Sequence, residues 1–404
     1  MKLSREAMRT YNQKVILKCL HDLGSMSKAQ LSEHTKLTIP AITDILNDLE
    51  DFQLIENTGH VKIKRGRFPM MHQLKRTNIH FIGIVVGSQR MKAAIVNIGG
   101  EVIDIHSKPL PNNPTPENVC KQIILLVNKL QSSEHKVYGI GIGMHGIINP
   151  FEGASIYPPH LDWGYFPIGE YVANETQLPV LVDNDCNTLT LAERWFGGGK
   201  KETSSFITLN IDYGIGAGIM NGDELFHGFN FGGGQIGHTI VDDEGIKCAC
   251  GNYGCLEAIA SEPALLKQVI KKVKKGFPTM LNELVNHPEE ITMEHLYHAA
   301  NHGDNLVIQH IQEAGRYIGI GIGTLINLFN PQKVIITGGV LRAGDILFDS
   351  LRDSAFKHSL KVNTEKLDLI PSMLGQHADV IGAATLWVNE LFHGNRSINE
   401  IIRK

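Results

Sequence analysis

The chain has 404 residues, enough for two or three domains, of which 42% are hydrophobic and 41 are glycine. No stretch comes near the run of about twenty apolar residues that a membrane-spanning helix needs, and the polar start, MKLSREAMRTYNQK, contains no apolar signal core. The net charge of −4 is unevenly distributed: residues 1–76 carry 13 Lys and Arg against 8 Asp and Glu, and the remaining residues carry 25 against 34. We therefore expect a soluble, cytoplasmic protein with no membrane partner, whose basic N-terminal part contacts a polyanion.

The first 35 residues predict two helices. From Val15 to Leu23 apolar residues recur at helical spacing, and Gly24 ends the pattern. Ser27, followed three residues later by Gln30, forms a capping-box pattern for a short second helix, KAQLSEHT.

A third helix and a β-hairpin follow. Thr38 can cap this helix, Pro40 lies in its first turn, and its apolar residues share one face. The segment LIENTGHVKIK is then typical of a hairpin with Asn57-Thr58-Gly59 at its tip. Three helices followed by a β-ribbon predict a winged helix-turn-helix domain, with its linker, over residues 1–76.

The third helix of such a domain enters the major groove of DNA with its N-terminal part. Its candidate DNA-binding residues are Thr38, Pro40, Ala41, Thr43 and Asn47. Asp44 on the same face would repel phosphates unless it accepts from a cytosine amine. The wing supplies further cations for phosphates or a minor groove, namely Lys62, Lys64, Arg65 and Arg67. We interpret the domain as binding double-stranded DNA; the alternative is a basic hairpin that only mediates contacts.

The rest of the chain shows buried strands with glycine turns. Residues 81–103 predict two strands joined by a turn and then a third strand, followed by a helix and another buried strand, VYGIGIGMHG. Similar elements recur at SFITLNIDYGIGAGIM and KVIITGGVL. The repetition predicts two α/β lobes around a cleft. The first covers residues 77–184 and is completed by a C-terminal helix at about 379–404, and the second covers residues 185–378.

Half of the six cysteines lie in one short segment. Cys248, Cys250 and Cys255 have the spacing C-x-C-x4-C, and His238 lies ten residues upstream of the first. Three thiolates and one imidazole make a closed tetrahedral set, which is typical of structural zinc (Zn²⁺) sites. A disulfide between Cys248 and Cys250 would be strained and is disfavoured in the cytosol. Ligand number and spacing favour a zinc knuckle in the second lobe, with redox sensing as the open alternative.

Four motifs carry a resemblance to one family: VDNDCN (182–187), GGGQIGH (232–238), KCACGNYGCLE (247–257) and NPQKVIITGGVL (330–341). Over residues 77–390 the chain resembles the ROK family, named for repressors, open reading frames and sugar kinases. The N-terminal winged helix is typical of the DNA-binding members. The resemblance implies a two-lobed, actin-like α/β domain of the ROK sugar-kinase type, and it assigns the zinc ligands to the same four residues.

The resemblance also implies a sugar site. Its candidate residues are Gly146, Asn184, Asp185, Gln235, His238 and Glu257. Asp185 matches the catalytic base of the kinases, and His238 is expected to bind zinc with one ring nitrogen and a sugar hydroxyl with the other. Two positions depart from the family pattern: Gln235 stands where sugar-binding relatives usually have Glu, and His145 where many have Pro. For the sequence Asp-Asn-Asp, the alternative interpretation is an Asx turn that closes a strand.

Both phosphate-binding turns of the family's kinases are altered in this chain. The first, Asp-x-Gly-Gly-Thr in the kinases, is replaced by residues 85–89, VVGSQ, which lack the carboxylate that organises magnesium. The second, Gly-Thr-Gly in the kinases, is replaced by Asp212-Tyr213-Gly214, which adds negative charge and bulk. Because phosphoryl transfer depends on positioning and charge neutralisation, we expect no ATP-dependent sugar phosphorylation and no catalytic residue.

Together these features predict a sugar-responsive transcriptional regulator, a repressor, that binds operator DNA as a homodimer or a tetramer. Closure of the lobes on a sugar would alter the spacing of two winged helices. Two alternatives are an active ATP-dependent sugar kinase with a DNA-binding appendage, and a DNA-binding regulator whose sugar pocket is non-functional. Nucleotide binding tests the first alternative, and a screen of sugars tests the second.

Overall fold

The computed structural model describes residues 4–60, 69–158, 163–200 and 203–402, and the chain forms two compact units. Unit 1 comprises Met1–Ala192 and Gln376–Lys404, and unit 2 comprises Glu193–Gly375. The chain therefore passes from unit 1 to unit 2 once and returns once.

Unit 1 begins with three helices and a three-stranded antiparallel sheet of order β1-β3-β2. The elements are α1 (Arg5–Leu23), β1 (Met26–Ser27), α2 (Lys28–Thr35), α3 (Ile39–Asp51), β2 (Ile55–His60) and β3 (Met70–Leu74). Ser27 and Gln30 form the predicted capping box of α2, and the side chain of Thr38 accepts from the Ala41 N–H at the start of α3. These contacts confirm the predicted second and third helices, and the arrangement is a winged helix-turn-helix.

The predicted tip of the wing is wrong. Asn57-Thr58-Gly59 lies inside β2, where Ile55 pairs with Leu74 and Asn57 pairs with His72 of β3. The register shifts between Asn57 and His60, so the Asn-Thr-Gly sequence forms an irregularity in the strand rather than the tip of a hairpin. Strand β2 consequently continues through the predicted tip to His60, and the four predicted basic wing residues lie outside the described residues.

The α/β part of unit 1 is built on a five-stranded sheet of order β10-β7-β4-β5-β6. Its elements are β4 (His80–Val86), β5 (Arg90–Asn97), β6 (Val102–Pro109), α4 (Pro116–Gln131), β7 (Val137–Met144), β8 (Ile147–Asn149), β9 (Ala154–Tyr157), α5 (Ile168–Thr176), β10 (Val180–Asn184) and α6 (Asp185–Trp195). The chain enters unit 2 within α6.

Unit 2 has its own five-stranded sheet, of order β13-β12-β11-β14-β15. Its elements are β11 (Ser205–Ile211), β12 (Ile215–Asn221), β13 (Glu224–Leu225), α7 (Leu256–Ala260), α8 (Glu262–Lys274), α9 (Leu281–Leu284), α10 (Met293–Asn301), α11 (Asn305–Phe329), β14 (Lys333–Thr337), α12 (Asp345–Lys357), α13 (Lys361–Thr364) and β15 (Asp368–Pro371). The chain then returns to unit 1 as α14 (Ala378–Phe392) and α15 (Ile398–Ile401). Among the described residues, none of the helices combines the length and the apolar character that crossing a membrane requires.

The two sheets have the same topology. In each sheet the first strand pairs antiparallel with the second, and the second pairs antiparallel with the third. Two later strands add in parallel on the other side of the first strand. This duplication is the pattern that the repeated strand-and-glycine segments predicted. It confirms the fold class, a winged helix followed by a duplicated actin-like α/β domain.

Helix α14 lies directly on the sheet of unit 1. A Cβ atom added to Gly141 of β7 would stand 1.9 Å from the backbone oxygen of Ala383, so only glycine permits this approach. Trp387 is fully buried, and its Nε1 donates to the backbone oxygen of Ile140 at 2.9 Å. The C-terminal helix therefore forms part of the core of unit 1.

Candidate functional site

Four potential metal ligands lie together in unit 2. The ligand atoms of His238, Cys248, Cys250 and Cys255 all lie within 4.8 Å of one another. His238 Nδ1 is 3.7 Å from Cys248 Sγ, and Cys250 Sγ is 3.7 Å from Cys255 Sγ. Zinc–sulfur bonds of about 2.3 Å in a tetrahedron place neighbouring sulfurs about 3.8 Å apart, so these separations fit such an ion. The structure thus brings all four predicted ligands into an arrangement that can hold a metal.

Backbone pairing brings the arms of this loop together. Lys247 pairs with Tyr253, and the Cys248 N–H donates to the Asn252 oxygen at 2.7 Å. Gly254 has a φ of +72°, and a Cβ atom there would stand 1.7 Å from the backbone oxygen of Asp242, so a side chain is excluded. The knuckle is therefore a tight turn that leads directly into α7.

The thiol of Cys255 needs a cation to become a thiolate at neutral pH. Burial raises its pKa to about 12, with the neighbouring thiols of Cys250 and Cys248 adding to the effect. Metal ligands must be deprotonated, so binding of an ion would release protons from this cluster. A donor set of one imidazole and three cysteines, of which Cys248 and Cys255 are buried, suits a thiophilic divalent ion.

Gln235, His238 and Glu257 are the candidate sugar ligands of unit 2, and all three are half-buried. The 3-10 turn at Ile236–His238 packs closely on α7, because a Cβ atom on Gly237 would lie 3.3 Å from Glu257 Cβ. Glu257 Oε2 accepts from the Ile215 N–H at 3.0 Å. Since Nδ1 of His238 faces Cys248, its Nε2 is the nitrogen left for a ligand. The metal cluster and the candidate sugar ligands therefore lie side by side, and His238 belongs to both sets.

Gly146, Asn184 and Asp185 are the candidate sugar residues of unit 1. The parallel strands β7 and β10 end together, with Met144 opposite Asn184, so the residues that follow lie at one edge of the sheet. Asn184 Nδ2 donates to the Gly146 oxygen at 2.9 Å, and Asn184 Oδ1 accepts from the Cys186 N–H at 2.9 Å. The contact of Asn184 Oδ1 with the Cys186 N–H is the Asx turn that the alternative interpretation of Asp-Asn-Asp predicted. The hold of its amide on the turn after β7 was not predicted.

Asp185 is an ionised acceptor at this edge. Its Oδ1 accepts from the Cys186 N–H at 2.9 Å, and its Oδ2 lies 3.6 Å from His145 Nδ1. Burial alone would raise the pKa of Asp185, but the contact with His145 and the Cys186 N–H outweigh it, and the pKa lies below its usual value. Asp185 can therefore accept a hydrogen bond from a hydroxyl, whereas a low pKa makes it a weak base.

The glycine turn after β14 is flanked by carboxylates. A Cβ atom on Gly339 would stand 2.3 Å from Glu262 Oε1 and 3.2 Å from Asp212 Oδ1. Tyr297 Oη donates to Glu262 Oε1 at 2.5 Å, and Arg342 lies 3.6 Å from Glu262 and 4.7 Å from the centre of the Tyr297 ring. Asp212 was singled out from the sequence, but Glu262, Tyr297 and Arg342 were missed because they come from three separate helical segments and form no motif.

By the family resemblance, Val85 of unit 1 stands where the kinases have the carboxylate of their first phosphate turn. It pairs in the sheet with Lys92 of β5, whose Nζ lies 2.7 Å from Asp379 Oδ2 at the start of α14. The ammonium group of Lys92, the cation beside Val85, is therefore paired with the carboxylate of Asp379.

The predicted DNA-binding residues of α3 differ in exposure. Thr38, Pro40 and Asn47 are exposed, as is Asp44, whereas Ala41 and Thr43 are half-buried. Lys28 Nζ contacts Thr43 Oγ1 at 3.2 Å, which places a cation beside the first half of α3. A base-reading surface on this helix would consist mainly of its exposed positions.

Comparisons with known proteins agree with this architecture. Residues 81–390 match the ROK family, and residues 10–65 match the MarR family. The chain is 31% identical to the xylose repressor of Caldicellulosiruptor bescii over 391 residues, 95% of this chain and 97% of the repressor. A crystal structure of a ROK family transcriptional regulator, a homologue of the Escherichia coli MLC protein, superposes with a TM-score of 0.85 at 29% identity, covering 98% of this chain and 100% of that one. A ROK family glucokinase from Streptomyces griseus, in complex with glucose and AMPPNP, gives a TM-score of 0.71 at 28% identity and covers 76% of this chain and 98% of the kinase.

A winged helix joined to a duplicated actin-like domain with a His-Cys cluster defines a class, the transcriptional regulators built on a sugar-kinase fold. The glucokinase covers 76% of this chain, whereas the ROK family regulator covers 98%. The chain belongs to the ROK family.

Proposed function

We propose that this protein is a transcriptional repressor that binds operator DNA through its winged helix and responds to a sugar, without phosphorylating it. The observation that carries the proposal is the similarity over 95% of the chain to a xylose repressor, winged helix included. Because that relative is named for an aldose, an unphosphorylated aldose is the effector class to test first, beginning with D-xylose. The setting is cytoplasmic, where operator DNA is found.

The winged helix is firmly attached to the α/β part of unit 1, which supports control of DNA binding by a ligand. Lys14 of α1 donates from Nζ to the backbone oxygens of Glu390 at 2.8 Å and Gly394 at 2.6 Å, at the C-terminal end of α14. The rings of His21 and Phe392 add an edge contact with centroids 5.6 Å apart. Helix α14 begins two residues after the chain returns from unit 2, so a single helix joins that return point to α1. A change at the return point can therefore reach the DNA-binding domain through one rigid element.

The absence of phosphoryl transfer follows from charge at the glycine turns. Asp212 and Glu262 place two carboxylates against Gly339, where a kinase of this fold requires neutral or cationic groups around a triphosphate. In unit 1, Val85 provides no ligand for magnesium, and Lys92 is paired with Asp379. Asp185 then serves as an acceptor for a sugar hydroxyl rather than as a base.

The metal in the cluster is structural zinc. The cluster contributes four protein ligands, which leaves no open position for a substrate. Zinc would fix the Ile236–His238 turn relative to α7 and so hold His238 and Glu257 in place for a sugar.

We infer a homodimer on a twofold operator, because winged helices of this type read two half-sites and a twofold site matches a twofold protein. Light scattering on the purified protein, with and without operator, measures this directly. A monomer that binds DNA with full affinity would contradict it.

The main experiment separates DNA binding from sugar binding. Duplex DNA selected by the purified protein from a random-sequence library is titrated by fluorescence anisotropy, with and without D-xylose, D-glucose and other aldoses. We expect one aldose to lower the DNA affinity. An Asp185→Ala variant should bind the DNA as the wild type does but not respond to the sugar. An Asn47→Ala variant should lose DNA affinity and keep the thermal stabilisation by the sugar.

Two outcomes would decide for the alternatives. If the protein binds DNA and no aldose alters its affinity or melting temperature, the sugar pocket is non-functional. If calorimetry shows binding of magnesium and AMPPNP, and if ATP then phosphorylates the sugar faster with wild type than with Asp185→Ala, the protein is a kinase.

A further inference from the structure

Two polar side chains on the exposed face of α3 are available to the bases of DNA. Pro40, Asp44 and Asn47 lie on one stripe of this helix, at the spacing i, i+4, i+7, and all three are exposed. The hydroxyl of Thr43 is already engaged, because its Oγ1 donates to the Ile39 oxygen at 2.9 Å. The Asp44 carboxylate and the Asn47 amide are therefore the groups in this part of α3 that can read a base edge.

The next aspartate along α3 is held inside the protein. Arg9 of α1 donates to both oxygens of Asp48, from Nε to Oδ2 at 2.9 Å and from Nη2 to Oδ1 at 2.7 Å. Gln13 Nε2 adds a third bond, to Asp48 Oδ2 at 2.9 Å. Within the described part of the chain Asp44 accepts no hydrogen bond and forms no ion pair, and Arg9 acts on it through charge alone. The protein thus engages one aspartate of the helix and leaves the other exposed.

An exposed carboxylate in the major groove discriminates between bases because it can only accept hydrogen bonds. The donors in this groove are cytosine N4 and adenine N6, whereas guanine N7 and O6, adenine N7 and thymine O4 are acceptors that repel a carboxylate. Adenine places its N7 acceptor beside the N6 amine, and cytosine has no such acceptor beside N4. The DNA phosphates repel the carboxylate as well. Cytosine is therefore the base that best matches this group.

We propose that Asp44 accepts a hydrogen bond from the N4 amine of a cytosine and so determines one C·G base pair in each operator half-site. This inference rests on the proposed function. Asp44 and Asn47 are three residues apart, about 4.5 Å along the helix axis, and base pairs are stacked about 3.4 Å apart. The Asn47 amide then reaches the neighbouring base pair.

Such a residue raises specificity more than it raises affinity. Opposite the matching cytosine, the N4 amine offsets the charge of the carboxylate, and at any other base the carboxylate faces acceptors and phosphates. Removal of the Asp44 carboxylate should therefore weaken the preference at one base pair and strengthen binding to unrelated DNA. A purely structural role of Asp44 predicts neither change.

The test changes the carboxylate and the amine separately. Operator duplexes selected by the wild-type protein are titrated by fluorescence anisotropy, with each base pair replaced in turn in both half-sites. For wild type we expect replacement of one C·G pair to lower the affinity at least about 5-fold per half-site. Pyrimidin-2-one, which is cytosine without its N4 amine, should lower the affinity by a similar factor at that position.

Two variants of Asp44 give different expected results. Asp44→Ala should lose both of these effects and bind an unrelated duplex more tightly than the wild type does. Asp44→Asn should prefer A·T at the same position, because an amide can donate to adenine N7 and accept from N6.

Asp51→Ala is the matched control, because it removes the same charge from an exposed position of the same helix, about 10 Å further along its axis. It should keep the wild-type preference for the C·G pair and for the N4 amine. Equal melting temperatures show that each variant is folded. If Asp44→Ala keeps that preference, or if no position requires a cytosine amine, the inference is wrong while the proposed function stands. Wild-type protein that selects no duplex counts against both.

Discussion

Lys14 offers the clearest test of how the winged helix is attached to the α/β part of unit 1. Its side chain is 7% exposed, and its Nζ donates to two backbone oxygens at the C-terminal end of α14, those of Glu390 and Gly394. A Lys14→Met variant keeps most of the aliphatic stem and removes both donors. The two carbonyl oxygens then remain in a largely covered site without these partners.

The expected loss of docking free energy in Lys14→Met is the difference between two opposing contributions. Hydrogen bonds from a charged group contribute about 1.5–3 kcal/mol each. Burial works against them, because it disfavours the charged form and lowers the pKa of Lys14, with partial compensation by Glu390 and Glu400. We therefore expect Lys14→Met to weaken the docking of α1 on α14 by about 1–3 kcal/mol in total, less than the sum of the two bonds.

Hydrogen exchange measured by mass spectrometry reports the opening of individual segments, so it can detect a change in the docking of α1 on α14. A global melting curve is less suitable, because the chain forms two compact units. A loss of about 1–3 kcal/mol predicts exchange about 5- to 150-fold faster in α1 and in the last turn of α14. Lys121→Met, at an exposed position of α4, is the matched control and should leave exchange unchanged. Exchange in α1 of Lys14→Met that is as slow as in Lys121→Met would refute the reasoning.

Three further changes test other parts of the structure. Cys255→Ser removes one metal ligand, so we expect the zinc content by mass spectrometry to fall and the melting temperature to match that of chelator-treated wild type; full zinc occupancy would contradict the assignment of the cluster. The Glu193 carboxylate accepts from the Gly198 N–H at 2.8 Å and from Ser372 Oγ, and burial raises its pKa above 4.5. The folded state therefore holds this proton more tightly than the unfolded state, and stability is lost as pH rises from 4.5 through the folded pKa. A Glu193→Gln variant should lack this part of the slope in thermal melts, and identical slopes would exclude the effect. Thr38→Ala removes the cap of α3 and should cost about 1 kcal/mol of helix stability, lowering operator affinity in anisotropy titrations while the sugar-induced rise in melting temperature is unchanged.

Local sequence patterns predicted the parts of the fold that local interactions determine. The capping box of α2 and the Thr38 cap depend on contacts three residues apart, and the structure confirms both. The four cysteine and histidine ligands were recognisable because they lie within eighteen residues and their chemistry restricts their use.

Features that depend on distant pairing were missed or misjudged. Asn57-Thr58-Gly59 has the composition of a hairpin turn, but its strand pairs with residues 70–74, and only that long-range register shows that the turn lies further along the chain. The contact of Glu262 with Arg342 joins residues eighty positions apart, which no spacing rule predicts. Asn184 illustrates a third case, since the motif identified the residue but could not show that its amide is used to hold Gly146.

The carboxylates beside Gly339 bear on how a sugar could control transcription. A kinase consumes the sugar that it binds, so occupancy of its site depends on turnover as well as on concentration. In the proposed repressor, the ionised Asp185 accepts a sugar hydroxyl and no phosphoryl group is transferred, so occupancy by the sugar follows its concentration at equilibrium. Under that condition linkage is reciprocal, and bound operator must lower the affinity for sugar by the same factor by which sugar lowers the affinity for operator. In the proposed repressor, the altered phosphate turns and the winged helix therefore serve one role, which is to report the concentration of a sugar rather than to modify it.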